Sequence, residues 1–402
     1  MKKLHLLALG ALVVAYGLGP MTTQMLTPAV PFVHQDFGIP MSVAQALISL
    51  SFVTIAVMTL IFGPFSDRFG RRPVILTGTG LFCIGSVVAG LAPTPELLIV
   101  GRIVQAAGSA TGLALTRTII LDVYGRERSG QVIAYLTTFM IFVPMLSPGV
   151  GGVLLDYVSW RALFGVCALF GVMALSLLFR YLPETNHERR VQLGLRETFV
   201  TFGSLLRDRS YLGPALFFAF IMASFFATQA AIPYLMVDVL GSSATEYGVW
   251  FAVVCAVYVA ANYISGRWGD RFERSRLILF SGFGCLATAV AGLVAANVLA
   301  CSTALLFVPT IALSFFGAIA IAPVQVGAIA AQPQRTGSAS GLMTAVQMVV
   351  GAVVVQLIGF SHDGTPYPMF ATLIACAMLA LLAIASAHAA ARQRAALSAV
   401  TG

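Results

Sequence analysis

The chain has 402 residues, of which 59% are hydrophobic and 9% charged, and its mean hydropathy is +0.93. A soluble domain of this length does not fold with so few charges, so the composition excludes a soluble enzyme or binding module and specifies an integral membrane protein. The net charge of +8 would suit a nucleic-acid partner, but the basic residues are segregated into alternate loops, the pattern that orients a chain in a bilayer.

The first apolar run, about Leu4 to Pro28, follows Lys2 and Lys3. No small-residue cleavage site follows it, so it reads as a retained span rather than a signal peptide. It carries Tyr16 and Gln24, and an outside loop with His34 and Asp36 is expected after it. The runs Ser42 to Phe62 and Pro73 to Ala92 contain no charge, and each is long enough to cross a bilayer. Between them lies a tight knot of charge containing Gly63, Asp67, Arg68, Gly70, Arg71 and Arg72. The spacing predicts a loop of a few residues there, with Gly63 and Gly70 supplying close approach or unusual dihedrals. The fourth span, about Leu97 to Leu121, holds Arg102, Gln105 and Arg117, and the charged segment Asp122 to Arg128 is read as a loop. The fifth, about Val132 to Leu155, holds Tyr135, Pro144, Pro148, Gly149, Gly151 and Gly152, and the sixth runs from about Ala162 to Leu182.

The longest polar segment, Pro183 to Tyr211, is the natural linker, amphipathic in places and suited to the membrane surface. Six further runs follow, at about Leu212–Met236, Tyr247–Ser265, Leu277–Ala296, Ala304–Ala330, Ser338–Phe360 and Met369–Ala389. The total is about twelve. The charge knot returns at Gly266 to Ile278, and at an offset of 203 residues (Gly63 to Gly266) the Gly, Asp, Arg, Phe, Arg and Ile positions all match. The expected architecture is therefore an all-α membrane protein of twelve helices in two pseudo-symmetric six-helix halves, 1–182 and 212–402, joined by a linker over 183–211. With the N-terminus inside, the inside loops and tails hold every loop Lys and Arg except Arg161. This places both termini in the cytoplasm. Parallel six-span repeats imply a substrate site near the membrane midplane.

Every acid falls at a span edge or in a loop, and no Asp, Glu, Lys or His sits mid-span. Two cations do lie within a span, Arg102 and Arg117. At 1.5 Å per residue they are roughly 22 Å apart. An intramembrane Arg is costly and should face a cavity or a partner, or else snorkel to the interface. Candidate cavity residues are the polar and aromatic side chains inside spans: Tyr16, Gln24, Gln105, Tyr135, Gln229, Tyr258, Asn262, Gln325 and Gln347. Such residues more often bond a neighbouring helix than a ligand. The six cysteines lie in or beside apolar runs without metal-ligand spacing, so no metal or cofactor is expected.

Gly63 to Arg72 resembles the signature loop of the major facilitator superfamily. Arg102-Ile103-Val104-Gln105-Ala106-Ala107-Gly108 resembles that family's fourth-span motif, whose arginine is tied to proton coupling. Val143 to Gly152, with Pro144, Pro148, Gly149 and Gly152, resembles the antiporter motif of its drug exporters. The runs Thr116 to Tyr124 and Gln334 to Gly341 resemble the Bcr/CflA-type drug-resistance group, which includes phenicol exporters. The resemblance implies a bacterial inner-membrane exporter of amphipathic small molecules, proton-coupled and monomeric, with Asp67 and Asp122 in an inside gate. One departure stands out. That group commonly has a first-span aspartate where this chain has Gln24, and a neutral amide cannot carry a proton near neutral pH. An importer, or an exchanger of organic anions using Arg102 or Arg117 as counter-ion, is the alternative. A membrane enzyme lacks support: there is no intramembrane His/acid constellation and no phosphate-binding loop.

Overall fold

The computed structural model describes residues 4–186, 195–268, 271–330 and 336–401. Side chains at 126–142, 144, 195–199, 268, 329–330, 336–337 and 390–401 lie outside the described residues. The described chain is a series of helices: α1 (Leu6–Leu26), α2 (Val30–Phe37), α3 (Met41–Phe69), α4 (Arg71–Gly90), α5 (Pro95–Tyr157), α6 (Trp160–Tyr181), α7 (Leu195–Arg207), α8 (Arg209–Tyr234), α9 (Ala244–Trp268), α10 (Arg274–Val298), α11 (Thr303–Ala330), α12 (Thr336–Ser361) and α13 (Tyr367–Thr401). Eleven helical stretches among the described residues are long and apolar enough to cross a membrane. The expected fifth span lies on the second part of α5, where side chains 126–142 are outside the described residues.

Three expected loops are shorter than the charge pattern implied. The outside loop with His34 and Asp36 is helical: Pro31 sits in the first turn of α2, and the helix runs on until Gly38, whose φ of +61° ends it. The charge knot is also helical on both sides, since α3 continues through Asp67 to Phe69 and α4 begins at Arg71. Gly70 alone joins them, at φ +104° and ψ 151°. Within Asp122 to Arg128, only Gly125 (φ +68°) breaks the helical path of α5. Charged residues need water or partners, not a loop, so a helix end can carry them.

The chain forms two compact units, Met1–Gly194 with Met236–Ala252, and Leu195–Leu235 with Val253–Gly402. In the first, α5 packs along α4, α1 and α3. Small residues set the distance between α4 and α5. A Cβ on Gly85 would overlap the backbone of Gln105, one on Gly101 the backbone of Ala89, and one on Gly108 the backbone of Phe82 and Gly78. Without a hydrophobic force between helices in lipid, such close backbone approach is what holds a pair together. In the second unit, α8 packs against α13, α12 and α11, while α10 packs against α11 and α13.

Candidate functional site

The charge knot folds into a closed network at one end of the first unit. Arg71, 8% exposed, pairs with Asp67 one turn back at 2.5 Å and with Asp122 of α5 at 3.2 Å. It also donates to Ser66 Oγ. A buried guanidinium held by two carboxylates and a hydroxyl has its charge and its donors met, which is the condition for burying it. Sequence reasoning missed the fourth side of the network. Glu184, just past α6, turns back and accepts from the backbone N–H of Arg71 (2.9 Å), Arg72 (3.3 Å), Thr185 (2.9 Å) and Asn186 (3.0 Å). It thus caps the N-terminus of α4, where unpaired N–H groups and the helix dipole attract an anion. Burial opposes ionisation of Glu184, but the donors from Asn186, Arg71, Thr185 and Arg72 outweigh it and hold the carboxyl below its usual range. The only sequence signal was an acid directly after Pro183.

The glycines of the knot are not equivalent. A Cβ on Gly70 would stand 2.5 Å from Glu184 Oε2, so both the dihedral and the space require glycine. A Cβ on Gly63 would meet nothing within 4 Å, so the expectation of close approach or unusual dihedrals there is not met. Arg68 is exposed and lies over the Phe69 ring, and Arg72 donates to Phe179 O at 2.8 Å.

Arg102 is 2% exposed, so it does not snorkel. Its Nη1 donates to Gln105 Oε1 at 2.6 Å, and its Nε lies 3.5 Å from Leu47 O. Gln105 Nε2 in turn donates to Ser86 Oγ at 2.8 Å. The chain Arg102–Gln105–Ser86 uses both ends of the Gln105 amide on protein partners, so Gln105 acts here as a structural bridge. Arg102 also lines a small polar void with Thr22, Thr23, Ser51 and Ser109. Among the described residues its hydrogen bonds go to the neutral Gln105 amide and the Leu47 carbonyl, so dipoles solvate this cation there, a costly arrangement.

Arg117 differs: it is exposed, with its guanidinium 5.7 Å from the centre of the Tyr16 ring. The structure thus brings together two residues singled out separately in the sequence. Gln24 is half-buried and has no hydrogen-bond partner among the described residues. In the second unit Gln229 is buried with Nε2 unpartnered among the described residues, while Asn262 donates back to Tyr258 O on its own helix at 3.1 Å. Tyr258 faces Phe225 at 6.4 Å between ring centres, beside a small apolar cavity with Ile221 and Met222. Gln325 and Gln347 are half-buried. The side chains of Tyr135 and Pro144 lie outside the described residues.

At the other end of the first unit, the glycines after Pro148 pack backbone to backbone. A Cβ on Gly152 would overlap Ala244 O, and one on Gly248 would stand 2.7 Å from Gly149 Cα. Asp156 then accepts from the N–H groups of Ala244 (3.0 Å) and Thr245 (2.8 Å), capping the start of α9. Asp36 is held by Arg161 Nη1 at 2.9 Å and Trp160 Nε1 at 3.0 Å.

A helical bundle with a glycine-linked acid–arginine knot and a buried span arginine is a transporter's equipment, and comparison decides the family. The sequence model described as Major Facilitator Superfamily matches residues 12–355. The chain belongs to this superfamily. It is 30% identical over 371 residues to the uncharacterized MFS-type transporter YdgK of Bacillus subtilis (strain 168), covering 91% of each chain. It is 30% identical over 350 residues to a chloramphenicol resistance protein of Pseudomonas aeruginosa, covering 85% of this chain and 80% of that one. The latter bears out the resemblance to the Bcr/CflA-type drug-resistance group. The fold matches the crystal structure of a bacterial homologue of the human lysosomal transporter Spinster, with a TM-score of 0.76 over 96% of both chains at 17% identity. The protein is therefore a multi-pass membrane transporter of the major facilitator superfamily.

Proposed function

We propose that the chain exports amphipathic, drug-like small molecules across the bacterial inner membrane in exchange for protons, by alternating access of two six-helix halves, 1–182 and 212–402, as a monomer with both termini cytoplasmic. The observation that carries this reading is the likeness to a chloramphenicol resistance protein along most of both chains. The residues suit the task. With Gln24 in place of a first-span acid, the titratable groups left near the transport machinery are the carboxylates of the knot. Asp122 is the coupling acid in this reading: protonating it would remove one of the two charges that hold Arg71. Arg102, buried against neutral dipoles, is positioned to respond to charge arriving near it. Uptake of chloramphenicol into inverted membrane vesicles tests the proposal. Accumulation should depend on an inward-acid gradient and collapse with a protonophore.

One observation favours a second reading. Arg117 is exposed beside Tyr16, with Gln24 on the same helix as Tyr16. A cation next to an aromatic face suits an organic anion and would serve an exchanger without proton coupling. Counter-flow of an aromatic carboxylate, insensitive to the gradient and lost in Arg117→Gln, would establish that reading instead.

A further inference from the structure

The first turn of α9 is capped from two sources. An α-helix leaves its first N–H groups without partners of its own. Ser243, just before the helix, meets one of them in the usual way, its Oγ accepting from Glu246 N at 3.1 Å. From Tyr247 on the bonds run back along the helix, Tyr247 N to Ser243 O at 3.3 Å. Ala244 N and Thr245 N remain, and both go to Asp156 near the end of α5, at 3.0 and 2.8 Å. The Thr245 hydroxyl donates to the same carboxylate. These partners stand 88 and 89 residues from Asp156 along the chain.

Other contacts support the same join. Gln35 of α2 donates to Asp238 Oδ1, and Gly149 and Gly152 meet the backbone of Gly248 and Ala244. All of them lie within the first compact unit, which takes in Met236–Ala252 although that segment follows the linker in sequence. The comparison with Glu184 is informative. Glu184 caps α4 in the same way, but both belong to one stretch of chain before the linker. Asp156 and α9 belong to opposite sides of it. Asp156 is exposed and Thr245 half-buried, so water can take over each bond when it breaks. The cap therefore holds the join without making it permanent.

We infer that Asp156 is a positioning residue of the transport cycle: its carboxylate caps α9 only while the outer side is shut, and loss of that cap is a step of outward opening. The inference rests on the alternating access of halves 1–182 and 212–402 and on the orientation proposed above. Asp156 then moves with the first half and Ala244 with the second, so opening the outer side draws the start of α9 away from the end of α5. The glycine contacts set how closely the two backbones approach, but they are not directional. The cap is directional, since a carboxylate bonds the exposed N–H groups of a helix start and is attracted by its dipole. Its loss favours the open state by the strength of one cap.

Electron–electron distance measurements between spin labels test this on the full-length protein. Leu91 at the end of α4 and Val298 at the end of α10 are 77% and 79% exposed, stand on opposite halves and take no part in the cap. All six cysteines are free, so labelling in a cysteine-free background breaks no disulfide. No drug and no proton gradient are needed, so failure here is distinct from failure of the transport reading. Asp156→Ala should raise the ratio of the longer to the shorter distance roughly fivefold, the effect of losing one helix cap. Asp156→Asn should stay within about twofold of the wild type, because an amide oxygen caps the same N–H groups. Asp363→Ala should leave the ratio unchanged, since Asp363 bonds Thr365 in its own loop. An unchanged ratio in Asp156→Ala would overturn the inference. So would an equal rise in Asp363→Ala, which would mean a general effect of outside charge, or an Asp156→Asn as open as Asp156→Ala, which would mean that the cap is not what holds. If Asp156→Ala fails to fold, Thr245→Val removes the hydroxyl bond alone, and an unchanged ratio there overturns the inference by itself.

Discussion

Glu184→Gln isolates the cap that ties the segment after α6 to the charge knot. Oε1 carries three of the four backbone bonds, from Arg71, Thr185 and Asn186 at 2.9, 2.9 and 3.0 Å, and Oε2 carries the fourth, from Arg72 at 3.3 Å. An amide keeps one oxygen for the first three, now as neutral bonds, and turns an NH₂ towards the Arg72 N–H. Charge-assisted bonds contribute about 1.5–3 kcal/mol and neutral ones about 0.5–1.5 kcal/mol. At the midpoints of those ranges three weakened bonds and one lost come to about 6 kcal/mol, an upper bound because three donors share one oxygen, and partial exposure screens the expected loss to about 2 kcal/mol. The pH dependence has a definite sign. The folded carboxyl titrates below its ordinary value. Its contribution is therefore complete above the ordinary carboxylate range and is lost as pH falls through the lowered folded value. Thermal melting of purified wild type and Glu184→Gln across pH should show the largest gap near pH 7, closing below about pH 4. A variant that melts with the wild type at pH 7, or a gap that stays constant down to pH 3, would refute the cap as an energetic element.

Asp67→Asn leaves Arg71 with Asp122 alone, and should lower transport in vesicles while membrane expression stays largely intact; normal transport by a well-expressed variant would remove Asp67 from the gate. Arg102→Lys keeps the charge but cannot reproduce the bond to Gln105 from a planar fork. One charge-assisted bond contributes about 1.5–3 kcal/mol, so turnover should fall on the order of tenfold or more; equal rates for the two proteins would contradict a coupling role. Gln24→Asp places a titratable group at a half-buried first-span position. It should shift preference towards lipophilic cations and make transport more pH-dependent between about pH 5 and 8. An unchanged substrate ratio and pH profile in well-expressed protein would take Gln24 out of the substrate path.

The apolar runs made the spans legible, because a bilayer demands about twenty apolar residues per helix whatever the neighbours are. The arginines and acids of the knot were legible for the same reason: charge is so rare here that each cluster stands out. What did not show was how short the joins are. Charge argued for loops at His34–Asp36, Asp67–Arg72 and Asp122–Arg128, yet the chain leaves helix there only over Gly38 to Pro40, at Gly70 and at Gly125. Glu184 was hidden because its partners Arg71 and Arg72 lie 113 and 112 residues away, and no local pattern encodes that distance. Gln105 shows what polarity inside a span leaves open: its amide bonds a neighbouring arginine and serine, as polar span residues commonly do, and it also lines the void beside Arg102. The Arg117–Tyr16 pair needed both positions in space, since nothing in either helix alone connects them.

The central claim is exchange of substrate for protons without a first-span carboxylate. Purified protein in sealed proteoliposomes, loaded with a pH-sensitive dye and preset with an acidic interior, tests it most directly. Adding chloramphenicol outside should release protons from the lumen in step with drug uptake, and Asp122→Asn should uncouple the two. Drug uptake at an undiminished rate with no pH change in the lumen, in wild type and variant alike, would contradict proton exchange.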